Sequence, residues 1–160
     1  MNSKGPFTQD RNPVQSLKFS THALKRNEQF GAWCAFVKGM SELETIGSPD
    51  EGFLASAEIH QLGSLTMSNY ALPPLKLTYG NDAIRRSSLD HWCFGVMTGG
   101  RVTVDSDLKG FNAATGDLAL YSYAAPFAGR LDTASYTSLF FSRDDFWDIA
   151  DELDRASHLR

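Results

Sequence analysis

The sequence predicts one mainly β domain, an antiparallel barrel or sandwich of short strands with a helix at either end. Three observations carry that expectation. Between residues 57 and 141, runs of strand-forming residues alternate with period two. Glycine-containing turn signals separate the runs. On both sides of that stretch the apolar spacing changes to the 3.6 period of a helix. Six or more short strands in succession suit an antiparallel barrel or sandwich.

Residues 1–17 are polar, carry Gly5, Pro6 and Pro13 and show no periodic apolar face, which predicts a flexible arm. From Phe19, Ser20 or Thr21 can cap a helix whose Phe30, Trp33, Cys34 and Val37 fall at i, i+3, i+4 and i+7. The "SPDEG" at 48–52 is turn chemistry and closes the helical region. The predicted strands are 57–67, 75–79, 89–98, 101–105, 117–123 and 135–141. Pro73-Pro74 marks a loop or edge. "TGGR" at 98–101 predicts a two-glycine hairpin, "DSDLKG" at 105–110 a longer one, and "ATGD" at 114–117 a turn with Gly116 at positive φ. At Ser142 the period returns to 3.6: Ser142 is the N-cap, Asp144 and Asp145 fill the first turn, and Phe146, Ile149, Ala150 and Leu153 make one stripe. Arg155, His158 and Arg160 suit the negative end of that helix dipole.

At 160 residues, 42% hydrophobic and 12% aromatic, the chain can bury a proper core. A formal net charge of -4 excludes a broad nucleic-acid face, which needs clustered cations, and the pairs Lys25-Arg26 and Arg85-Arg86 read as solvated surface. Cys34 and Cys93 have no neighbouring cysteine, so they read as buried free thiols rather than a zinc knuckle or redox pair. No apolar run is long enough to span a bilayer, and the first residues lack the apolar block of a signal peptide. A reducing cytoplasm is the expected location. There is no repeat and no low-complexity tract.

The chemistry-bearing residues do not cluster. His22, His60, His91 and His158 form neither H-x-H nor H-E-x-x-H, so no metal site is expected. No G-x-S-x-G is present, "SLDH" at 88–91 is a turn before a strand, and "GNDAIRRS" lacks the glycine spacing of a phosphate cradle. A binding cavity fits better. In "YTSLFF", Thr137, Leu139 and Phe141 suit the underside of the terminal helix, while Tyr136, Ser138 and Phe140 suit a mostly apolar pocket with a few hydroxyls or, equally, plain core. Trp92 and Phe94 share a face that either lines the same interior or packs as core. Phe127, after Pro126, is expected to hang over a barrel mouth. The candidate ligand contacts are therefore Trp92, Phe127, Tyr136, Ser138 and Phe140, and their sparse hydroxyls favour a small apolar or aromatic compound over a sugar phosphate.

The order of these parts resembles a known family. An "FST" helix start followed by Trp33, "LGSL" at 62–65, the D-x-W strand ending at Gly99, the "GDLAL" turn and strand at 116–120, "AAPF" at 124–127 and a strand leading into "SRDDFWD" are similar to the N-terminal regulatory domain of AraC/XylS-type transcription regulators, over roughly residues 19–153. That resemblance implies a cupin-like barrel of jelly-roll type that binds a small organic effector, then dimerising helices, then a C-terminal unit with two helix-turn-helix motifs. It divides the chain into an arm at 1–17, the ligand-binding domain at 18–141 and the start of a dimerisation region at 142–160, with Phe146, Ile149, Ala150 and Leu153 as interface residues. Metal-dependent cupins carry His-x-His before the Gly-Asp turn and a further His after it; here "DHWC" supplies one His, and Ala119 stands where the later ligand belongs. No metal and no cofactor are expected. Ala114 replaces a common proline, and the chain stops at Arg160, as an excised sensor or a truncated regulator would. The expectation is a homodimer in the full-length regulator, a monomer or weak dimer for this chain, no DNA binding by it and no membrane. The alternative is a metal-free stand-alone cupin-like enzyme, an isomerase or lyase, using Tyr121, Tyr123 or His91 for proton transfer. Such a site needs convergent titratable groups, which the sequence does not supply.

Overall fold

In the computed structural model, residues 14–87, 90–106 and 110–156 are described. Strands β1 (Gln15–Ser20), β2 (Glu42–Thr45), β3 (Ser56–Leu62), β4 (Leu65–Leu72), β5 (Leu75–Tyr79), β6 (His91–Ser106), β7 (Phe111–Ala114), β8 (Leu118–Ser122) and β9 (Phe127–Ser142) form one antiparallel sheet of nine strands. Helices α1 (Arg26–Phe36), α2 (Asn81–Ser87) and α3 (Ala150–Ala156) and two 3-10 segments, Pro49–Glu51 and Asp144–Ile149, complete it.

The long strand β9 organises the sheet. Its first part pairs with β5 on one side, Leu75 opposite Leu131, and its second part pairs with β4, Leu72 opposite Ala134. Along its whole length the other edge pairs with β6, from Ser106 opposite Phe127 to His91 opposite Ser142. β6 in turn carries β7 and β8. Curling follows from a crease shared by neighbouring strands: Pro73-Pro74 separates β4 from β5, the β6 register shifts on both sides of Gly99, and Thr133 in β9 has φ 45°. Gly100 has φ 74°, and a Cβ there would lie 1.6 Å from the Thr133 carbonyl oxygen, so only glycine fits.

Two expected strand boundaries are overturned, the first of them by this crease. "TGGR" is not a hairpin: β6 runs through it, because the two glycines absorb a bulge instead of reversing the chain. Residues 57–67 are not one strand either, since β3 and β4 turn at Gly63, φ 67°. The "ATGD" turn is as expected, with Gly116 at φ 93° and the Asp117 carboxylate accepting from the Ala114 N–H at 2.9 Å.

The N-terminal helix begins later than its cap signal. Thr21 is buried, and its hydroxyl donates to the Phe53 carbonyl at 2.5 Å and accepts from the Ala55 N–H at 2.9 Å, which fastens the chain to the start of β3 rather than to a helix end. Residues 15–17, read as arm, pair with β3 as part of β1; residues 1–13 lie outside the described residues. Trp33 is buried against Phe19, Phe36, Phe53 and Tyr70, and this aromatic cluster seats α1 on the sheet. Gln29, also buried, accepts from the Phe53 N–H at 2.6 Å.

The C-terminal stretch is kinked. Ser142 is not the N-cap: its hydroxyl accepts from the Asp144 N–H at 3.1 Å, but the N-cap position is Arg143 without a side-chain cap bond, the first turn is 3-10, and Phe146 leaves helical geometry at φ -132°. Its ring packs edge-on against Phe141 at 5.1 Å. The stripe is therefore interrupted. Phe146, Ala150 and Leu153 are half-buried, whereas Ile149 is 41% exposed and Trp147 79% exposed. His158 and Arg160 lie outside the described residues. No helix among the described residues is long and apolar enough to cross a membrane.

Candidate ligand-binding cavity

Alternation along the strands decides which side chains face inward. On β9 these are Tyr136, Ser138 and Phe140, and on β6 they are Cys93, Gly95 and Met97. Ala119 and Tyr121 on β8, with Tyr123 just beyond it, share the inward face. The interior they enclose has two lobes. One, about 90 Å³, lies toward α1 and is walled by Trp33, Val37, Tyr70 and Tyr123. The other, about 60 Å³, lies toward β6 and β7 and is walled by Gly95, Met97, Phe111 and Ala119. Leu77, Tyr121, Phe127, Tyr136 and Ser138 belong to both walls and form the partition.

The lobe toward β6 and β7 has a simple origin. Gly95 and Ala119 stand directly opposite each other in the β6–β8 pairing, and two residues with so little side chain leave space where bulkier ones would close it. Around the partition the rings pack in tilted and edge-on pairs: Tyr121 with Phe127 at 5.5 Å, Tyr123 with Phe140 at 5.6 Å, and Tyr70 with Tyr136 at 5.1 Å.

The polar inventory of the cavity is neutral. Among the described residues, no Asp, Glu, Lys, Arg or His lines either lobe. Burial pushes the Tyr121, Tyr123 and Tyr136 hydroxyls well above the usual phenol range, reinforced by the neighbouring Cys93 and tyrosines. The Cys93 thiol is pushed up to about 12 by burial, against the opposing pull of Tyr121 and Ser138. Ser138 is 1% exposed, and its hydroxyl has no partner that meets hydrogen-bond geometry, although the Cys93 sulfur is close enough to sense it.

Four of the five expected contacts, Phe127, Tyr136, Ser138 and Phe140, line the cavity. Phe127 does so from inside, since it opens β9 and is 7% exposed rather than overhanging a mouth. Trp92 does not. With Cys93 facing in, Trp92 and Phe94 face out: Phe94 is exposed, and Trp92 is buried on the convex side beneath the C-terminal helix. There the Trp92 ring meets Phe141 at 5.9 Å and the Arg143 guanidinium at 4.3 Å, and its indole N–H donates to Asp154 at 3.0 Å. Arg143 also pairs with Asp90 and donates to Ser122 at 3.1 Å. The sequence reading did not name Tyr70 and Leu77 as lining residues, and it left Tyr121 and Tyr123 out of the ligand contacts although it read residues 115–123 as belonging to a binding wall. The signal was present in the last case, since Ala119, Tyr121 and Tyr123 alternate with Leu118, Leu120 and Ser122.

The three groups weighed for catalysis are not brought together. Tyr121 and Tyr123 line the cavity, but His91 does not; it starts β6, opposite Ser142. Among the described residues there is no group of three or more His, Cys, Asp or Glu that could hold a metal ion. Ala119 turns its methyl into the lobe toward β6 and β7 at the position where the resemblance calls for a ligand. Cys93 is buried as expected, and Cys34 is half-buried.

A curled antiparallel sheet of this topology, its interior lined by aromatic side chains and a helix at each end, is a cupin-type barrel. The AraC-like transcriptional activator CuxR has this fold: its crystal structure matches with a TM-score of 0.84 at 23% identity, over 89% of this chain and 53% of that one. This chain thus spans about half the length of that protein, and the likeness is one of fold. The Clostridium difficile EutQ protein (TM-score 0.45, 9% identity, 61% of this chain and 69% of that one) and an RmlC-like cupin from Shewanella frigidimarina (0.42, 14%, 68% and 91%) are more remote, and no argument rests on them. No family model matches the chain, and no curated protein matches it by sequence.

Proposed function

We propose that this chain is the effector-sensing domain of an AraC-type transcription regulator, binding a small organic molecule in its barrel and passing occupancy to the C-terminal helix. The observation that carries the reading is a two-lobed aromatic cavity, free of ionised side chains, inside a barrel shaped like the matching half of an AraC-like activator. Concave, mostly apolar space with a few placed hydroxyls is what a small-molecule site requires. The raised tyrosine hydroxyls support binding over catalysis, because a phenol that resists ionisation is a poor proton-transfer group near neutral pH.

Dimerisation belongs to the same proposal. Phe146, Ile149, Ala150 and Leu153, joined by exposed Trp147, offer an apolar surface that a full-length cytoplasmic regulator would bury in its homodimer, while DNA would be read by a separate unit. This chain, with net charge -4, would bind no DNA by itself. The test is a thermal-shift screen of neutral aromatic and aliphatic compounds against the wild type, Tyr136→Ala and Phe140→Ala. Hits should lose affinity in both variants. Hits whose affinity is unchanged in both would place the ligand elsewhere and end the reading.

A further inference from the structure

We infer that the cavity takes an uncharged, single-ring compound bearing one hydroxyl, carbonyl or amide group, and that Ser138 selects it by pairing with that group. The inference rests on the cavity being the ligand site and goes further by naming the chemistry that site accepts.

Among the described residues, Ser138 combines small size, a polar group and a place in both walls. It sits on β9 in the partition between the lobes, buried from solvent, with no hydrogen-bond partner in good geometry and only the weakly accepting Cys93 sulfur nearby. A buried hydroxyl without a partner destabilises the empty protein, and a guest that completes the hydrogen bond removes that cost. Serine can donate or accept, so a hydroxyl, a carbonyl or an amide can each satisfy it.

Charge is excluded by the walls. A carboxylate or ammonium would leave water for a space whose described lining offers no counter-charge, and the tyrosine and cysteine groups nearby stay neutral. Size is bounded too. A benzene-sized guest occupies a dry cavity of about 150 Å³, more than the about 90 Å³ of the larger lobe alone. Such a guest must reach across the partition, which brings its substituent to Ser138. The rings of Tyr121, Phe127 and Tyr136 flank that crossing and supply the edge and face contacts an aromatic guest prefers.

The test titrates the chain with four probes, phenol, benzene, benzoate and benzylammonium, followed by amide chemical shifts. Phenol should bind about tenfold more tightly than benzene, the value of one completed hydrogen bond. Benzoate and benzylammonium should be weaker than phenol by at least about a hundredfold. Ser138→Ala should bring phenol down to the affinity of benzene; Thr103→Ala, which removes an exposed hydroxyl outside the cavity, should leave the phenol-to-benzene ratio intact. Benzoate or benzylammonium binding as well as phenol, a phenol affinity indifferent to Ser138→Ala, or no binding of any probe up to its solubility would each overturn the ligand class. The sensing role is judged separately, by whether hits from the wider screen depend on Tyr136 and Phe140.

Discussion

Arg143 and Asp154 join the end of β9 to α3 through two parallel hydrogen bonds, Nη1 to Oδ2 at 2.7 Å and Nη2 to Oδ1 at 2.5 Å. Asp154 also accepts from the Trp92 indole, and Arg143 reaches Ser122 and Asp90. The pair therefore ties α3 to two strands whose adjacent residues, Cys93 on β6 and Tyr121 on β8, face the cavity. Arg143→Gln should cost about 1–2 kcal/mol in urea denaturation, because it removes the forked pair and the contact over Trp92, while the exposed side of Asp154 lets water weaken the pair. The indole N–H resonance of Trp92 should move with it; an unmoved resonance would mean that α3 is held by other contacts.

The same pair sets a pH dependence. Hydrogen bonds from Arg143, and then from Trp92, hold the Asp154 carboxyl below the usual carboxylate range. A group depressed in the folded state stabilises above its unfolded value of about 3.9 and loses that contribution as pH falls through the folded value. The attachment of α3 should therefore be intact at neutral pH and weaken below about pH 4, with Asp154→Asn flattening the acid limb of the Trp92 signal.

Filling the lobe toward β6 and β7 should silence the cavity without unfolding the barrel. Ala119→Leu places its added carbons in space that Gly95 leaves open, so the stability change should stay within about 1 kcal/mol. Compounds found by thermal shift should lose at least about tenfold in affinity, the loss expected when a ring must give up one lobe. Unchanged affinity would confine the ligand to the lobe near α1.

The two cysteines should differ in reactivity. With its thiol pushed up to about 12 by burial and no access to solvent, Cys93 stays a thiol at pH 8 and out of a reagent's reach. Burial raises Cys34 too, but it is half-buried. A chromogenic disulfide reagent should titrate one thiol in the native protein, lost in Cys34→Ser, and both thiols after denaturation.

Gly100→Ala tests the crease. The new methyl would meet the Thr133 carbonyl at a distance no side chain tolerates, on a backbone already at φ 74°, and relief would require β6 to separate from β9. A loss of at least about 4 kcal/mol is expected by urea denaturation. Gly95→Ala is the control: its Cβ would meet only the Ala119 carbonyl oxygen, at 3.9 Å, so the barrel should remain intact.

What could be read from the sequence was whatever a single strand or turn decides alone. β5, the Gly116 turn and the inward row Tyr136, Ser138 and Phe140 are local patterns. The errors were of another kind. Nothing near "TGGR" distinguishes a hairpin from a bulge, because the partner that enforces the bulge, Thr133, arrives 33 residues after Gly100. Trp92 and Phe94 share one face of β6, but which face turns inward is decided by the neighbouring strands, and the inside of β6 is Cys93, Gly95 and Met97. Residues 42–45 and 81–87 gave no amphipathic signal, and the first pairs only once β5 exists beside it. The C-terminal stripe was read as one helix because spacing cannot register a ring such as Phe146 turning out of line to meet Phe141.

The placement of β9 also governs how the chain must fold over time. Strands β4, β5 and β6 all pair with it, and its last residue meets His91 at the far end of β6. During synthesis none of these three can complete its ladder until residues 127–142 have left the ribosome, so the earlier strands wait as hairpins with bare edges. Closure then joins segments dozens of residues apart, a search that makes refolding slow for a chain of this length, on the millisecond-to-second scale of all-β domains. A nascent chain stalled before residue 127 would expose the apolar edges of β4 and β6 together, and that is the species a holding chaperone should capture.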